Sequence, residues 1–200
     1  MANLLLFYKY QIAVYRFKET MISKERVIGQ TIKWITEVVI KCNFCPFASK
    51  TLKQNTIQYR VENSTQSEKC LEFFLEECEH LNNDLEIETI LLIFPNAFQQ
   101  FDDYLDLVSH AEKLLVLNGY EGIYQVASFH PHYRFEGTPL NDAANYTNRS
   151  LYPMLHLLRE DSMEKALDNY PGADNIPDHN IRFAREKGLA YMKLLRDSCL

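Results

Sequence analysis

The hydrophobic pattern of this chain predicts an α/β fold: a small three- or four-stranded parallel or mixed sheet packed with about five helices. Three observations lead there. Segments of helical period alternate with short strand-like segments, the order that builds crossover units. One of the strand-like segments, Thr89 to Phe94, is almost continuously apolar and ends at Pro95, as a strand covered on both faces does. At 200 residues and 46% hydrophobic, the chain is long enough for one domain with a sizeable core. The alternative is an α+β, ferredoxin-like antiparallel sheet, which needs a further strand in residues 1–20 or 133–140.

Residues 1–20 read as an N-terminal extension ahead of a single domain over 21–200, with Met21 as the usual start. From Lys24 to Lys41, Ile28, Ile32, Ile35 and Val39 recur at helical spacing opposite Gln30, Lys33, Glu37 and Lys41, with Ser23 as N-cap. Pro46 keeps Cys45 out of helical geometry and ends this segment. Ile57, Tyr59 and Val61 alternate with polar residues, a half-buried strand. Thr65 and Glu68 form a capping box for a helix whose apolar face is Cys70, Leu71, Phe74, Cys78 and Leu81. The Thr89–Phe94 strand follows. Asp102 and Asp103 open a helix from Phe101 to Leu117, where the dipole favours acids, and Asn118-Gly119 stops it. Tyr120 to Phe129 is a third strand. His130 to Ser150 is a long aperiodic loop, of the length that marks a functional segment. A helix from Leu151 to Leu167, capped by Ser150, and a last helix from Pro177 to Arg196 complete the chain.

The formal net charge is −6 and no basic stripe is present, which disfavours nucleic acid as a partner. No uncharged apolar run reaches the ~18 residues of a membrane span. Five cysteines, an odd number in a chain of this size, argue against a disulfide framework and for a reducing, cytoplasmic setting.

Four constellations carry chemistry. Cys42 and Cys45 have the spacing of a redox or metal pair, but no second pair exists for a zinc ribbon, and Cys45, beside Pro46, is the better nucleophile. His130 and His132 lie just past a strand end, where ligands collect in parallel sheets. There they offer a general base or, with Cys45 or His156, a metal site. Asn141 to Ser150 combines Asp142, Asn145, Asn148 and Arg149 ahead of a helix, a candidate anion site or a loop held by its own Asx turns. His156 and Arg159 share a face of the expected helix, for a substrate or a structural ion pair.

The segments Asn43-Phe-Cys-Pro-Phe-Ala48, Gly119 to Phe135 and Asn145 to Glu160 resemble the bacterial family called domain of unknown function 1415, over about Met21 to Arg185. The family pattern retains Cys45 but not Cys42, and carries an acid where this chain has His132. The resemblance implies membership and names no fold, substrate or cofactor. The expected function is therefore a thiol/histidine-dependent enzyme acting on a small anionic substrate. Its catalytic residues would be Cys45, His130 and Asp142. Arg134, Asn145, Asn148, Arg149, His156 and Arg159 would bind the substrate. A metal-binding protein and a non-catalytic interaction module are the alternatives.

Overall fold

The computed structural model describes residues 22–200; the expected extension and any strand within it lie outside these residues. Helix α1 (Lys24–Trp34) continues into a π-helical segment, Ile35–Ile40. Helix α2 (Ala48–Gln54) precedes strand β1 (Ile57–Val61), α3 (Ser67–Asn83), β2 (Thr89–Ile93) and α4 (Phe101–Leu117). Strands β3 (Tyr124–Phe129) and β4 (Met154–Arg159) flank a long loop that contains a 3-10 turn at Ala143–Thr147. Helices α5 (Glu160–Asp168), α6 (Ile176–Lys187) and α7 (Leu189–Asp197) follow.

The strands form one mixed sheet in the order β1-β2-β4-β3. β1 and β2 are parallel, joined through α3, while β4 runs antiparallel to both β2 and β3. All five residues of β2 are buried, the outcome its continuous apolar run predicts. Because strand side chains alternate, β2 feeds two cores. Leu91 and Ile93 pack with α1, the π segment, α6 and α7; Ile90 and Leu92 pack with α3 and α4. The sheet is thus sandwiched between two helical layers, an α/β architecture.

Several local expectations hold for physical reasons visible in the structure. The Ser23 side chain accepts a hydrogen bond from the Arg26 amide at 3.2 Å. Helix α4 spans the expected residues, and Gly119, at φ +75°, takes the left-handed conformation that closes it.

Others are corrected. Of the helix expected from Leu151 to Leu167, Met154–Arg159 is strand β4 and only Glu160–Asp168 is helical. A short apolar run such as Met154–Leu158 has the same composition as a buried helical turn, so periodicity alone does not separate the two. The fourth strand therefore lies here and not in 133–140. Helix α3 begins after Gln66 with no side-chain cap, so the Thr65–Glu68 box does not form; Glu62 and Ser64 instead receive the amides of Ser64 and Gln66. The last helix breaks at Gly188, φ +82°. Helix α2, seven residues long, falls below the length at which amphipathic period is legible.

Candidate functional site

Over the α1 face of the sheet lies a cavity of about 690 Å³, within the range of small-molecule sites. Its floor is the sheet: Ile57 of β1, Thr89 and Leu91 of β2, His156 and Leu158 of β4. One wall is the end of α1 and its π segment, with Trp34, Ile35 and Val39. Cys45, Phe47 and Thr51 form a second wall, at and near α2, and Met163, Ala166 and Tyr170, on and after α5, form a third. Phe129 meets Trp34 edge-on at 5.4 Å, and Phe47 meets Tyr170 at 5.7 Å, so aromatic rings brace both ends. The π segment shifts the helical register within this wall, and such bulges are frequent at functional sites. Lys50 and Lys165 lie exposed at the rim, without an ion pair among the described residues, and Glu88 also lines the cavity.

His156 is the polar centre of the floor. β4 directs it to the cavity face, opposite Leu91 of β2 and Ala127 of β3. Its Nε2 lies 2.6 Å from the Thr89 hydroxyl, whose oxygen is also 2.6 Å from the Leu157 carbonyl. Burial pushes the His156 pKa down to about 4, so the ring is neutral at physiological pH. No hydrogen bond to its Nδ1 is found among the described residues.

Cys45 is the one partly exposed cysteine; Cys42, Cys70, Cys78 and Cys199 are buried. Its thiol sits against the amides of Phe47 and Ala48, which favour the thiolate, but desolvation is larger and raises the pKa. Cys45 therefore enters the cavity as a thiol.

The structure brings Cys45 and His156 to one cavity, which Arg159 also lines although its guanidinium is engaged outside it, and takes the other expected residues elsewhere. His130 is fully buried and does not line the cavity. Its Nε2–H donates to the Phe98 carbonyl at 2.8 Å and its Nδ1 accepts the His132 amide at 3.0 Å, so both nitrogens are engaged. The ring lies tilted against Tyr104 and Phe101, and burial brings its pKa down to about 4. Its partner Phe98 sits at φ +56°, unusual for a bulky residue, and the histidine bond helps hold it there. Asp142 caps the 3-10 turn through the Ala144 amide and pairs with Arg185 at 2.8 Å; both contacts hold its carboxyl below the usual range.

The polar loop is held by its own side chains. Asn145, fully buried, accepts the Phe135 amide and donates to the Pro139 carbonyl. Arg149 donates to the Tyr133 and Leu140 carbonyls and lies over Tyr146. Asn148 reaches the Ser128 carbonyl. Arg134 is exposed. As a strand residue three places from His156, Arg159 points to the opposite face of the sheet. There its guanidinium donates to the carbonyls of Leu81, Asp84 and Ile87. Among the described residues no group of three or more His, Cys, Asp or Glu side chains stands together as a metal site, so Cys45, His130, His132 and His156 do not form one.

Thr89, Trp34, Phe47, Lys50, Lys165 and Tyr170 were not legible as site residues. Thr89 carried the one available signal, a hydroxyl opening an otherwise apolar strand that must find a buried partner.

No curated protein and no solved structure matches the chain. A family model described as "Protein of unknown function (DUF1415)" matches residues 26–194.

Proposed function

Because the chain belongs to the family described as a protein of unknown function (DUF1415), we propose its role from the cavity itself: a thiol/histidine site acting on a small anionic molecule with an apolar body. The observation that carries this is the shared cavity of Cys45 and His156, largely apolar, with the two lysines Lys50 and Lys165 against the single carboxylate of Glu88 in its lining. An apolar ligand body is favoured by the Trp34, Phe129, Leu91 and Leu158 surfaces, at roughly 25 cal/mol per Å² buried. A carboxylate at the mouth meets Lys50 and Lys165 where it stays partly hydrated, so it avoids the cost of burying a charge. His156 is the general base, through Nδ1, toward an acidic proton of the bound molecule. Cys45 supplies the neighbouring thiol.

A second reading, binding without turnover, draws support from the two pKa directions. A thiol pushed up and an imidazole pushed down leave both groups neutral near pH 7, when a strong nucleophile or base would call for the reverse.

The test is a thermal-shift and calorimetric series of arylalkyl carboxylates against the wild type and the Lys50→Glu/Lys165→Glu variant. Partly exposed pairs contribute about 0.2–1 kcal/mol each, so reversing both rim charges is expected to weaken binding by roughly tenfold. Affinities unchanged by the double reversal, or no carboxylate binding at all, would contradict the site. Among acids that bind, turnover lost in His156→Gln with binding retained favours the enzyme; no turnover by the wild type favours the binder.

A further inference from the structure

The Thr89 hydroxyl has one proton and two close polar neighbours, the Leu157 carbonyl and His156 Nε2, each at 2.6 Å. A carbonyl only accepts. If the hydroxyl proton pointed to Nε2, two oxygens would face each other at 2.6 Å with no hydrogen between them. The arrangement that satisfies all three groups has Thr89 donating to Leu157 and Nε2–H donating to Thr89. The backbone of β4 thus sets the tautomer of the histidine it carries. The remaining lone pair is on Nδ1, the nitrogen for which the described residues provide no donor.

From this we infer that the cavity floor selects, within the proposed class of apolar anions, ligands that present a hydrogen-bond donor to His156 Nδ1: a hydroxyl or N–H at the end opposite the anionic group. The inference rests on the proposed site and sharpens it. The rim cations receive the anion, the aromatic walls cover the body, and the floor accepts a proton donor. A ligand ending in an ether, ester or carboxylate oxygen would bring a lone pair against a lone pair, leaving a buried acceptor unsatisfied. Thr89 is a positioning residue here: its hydroxyl is taken up by Leu157 and His156, and it acts by keeping the proton on Nε2.

The experiment uses a matched pair of probes, 3-(4-hydroxyphenyl)propanoate and 3-(4-methoxyphenyl)propanoate, titrated into protein labelled with ¹⁵N in its histidines. His156 is assigned by its loss in His156→Gln. Two-bond ¹H–¹⁵N spectra of the free protein are expected to show the Nε2–H tautomer, and the phenol to move the Nδ1 signal and bind at least tenfold more tightly than its ether. In Thr89→Val, which removes the acceptor for Nε2–H but keeps the side-chain shape, a mixture of tautomers and a smaller preference are expected; Thr89→Ser restores both. A free protein carrying the proton on Nδ1, or equal affinity for phenol and ether, overturns the inference while the proposed site stands. If neither acid perturbs His156, the inference and the proposed site fall together.

Discussion

Cys45 and the buried cysteines differ in one property that decides their chemistry, access to solvent. Under native conditions a small maleimide is expected to modify Cys45 alone, and Cys45→Ser to remove the reaction, as intact-mass measurement would show. Because desolvation raises the thiol pKa, the rate should keep climbing with pH beyond about 9, past the range of a free thiol. Arg159 offers the opposite case. It is a cation in the most chemically loaded part of the chain, yet its donors end on three carbonyls around the close of α3. Replacing it with Met strands those carbonyls. At about 1.5–3 kcal/mol for a hydrogen bond to a charged group, Arg159→Met should lower stability by roughly 3 kcal/mol in urea melts and leave Cys45 labelling in the folded protein unchanged. A change in the labelling rate with no loss of stability would return Arg159 to the site.

At the scale of elements, what was legible followed from how many residues carried the signal. Helix α4 was written by a full amphipathic face, acids in its first turn and Asn118-Gly119 at its end. β2 was written by an unbroken apolar run. β4 was misread because its run fits either geometry, and that misreading put His156 and Arg159 on one face when a strand sends them to opposite faces. The chemistry of the site turned on that difference. Helix α2 and the break at Gly188 depend on a few residues whose conformations are set by packing around them. Gly188, with φ +82° between α6 and α7, admits a side chain only with strain, although nothing lies within 4 Å of the position a Cβ would occupy. Gly188→Ala is therefore expected to cost about 1–2 kcal/mol through backbone conformation alone, measured by chemical denaturation. A neutral or stabilising result would show that α6 and α7 join into a continuous helix without penalty.

For the whole molecule, one buried and one half-buried imidazole make acid the solvent condition that matters. His130 and His156 both have folded pKa values near 4, below the ordinary 6.5 of the unfolded chain. The unfolded state thus binds more protons between those values, and stability falls as pH drops from about 6.5 to 4. The loss is expected to reach a few kcal/mol, since one pKa step is about 1.4 kcal/mol. Asp142 and Asp197, held below 3.8, add their own loss only below that window. Urea midpoints at pH 7 and pH 5 should therefore differ in the wild type and differ less in His156→Gln.

Sequence spacing pointed to the imidazole next to the strand end, His130, because local chain order is what spacing sees. The cavity is instead assembled from α1, α2, β2, β4 and α5 across more than a hundred residues, and only tertiary packing brings Cys45 and His156 to one hollow.

The decisive measurement is the maleimide reaction rate at Cys45 in native protein, with and without a saturating arylalkyl carboxylate that binds it. A cavity shared by thiol, imidazole and ligand predicts one reactive thiol whose modification slows at least tenfold when the acid is bound. A Cys45 that reacts at the same rate with the acid in place would mean that the ligand sits elsewhere and that this hollow is packing, with no working role.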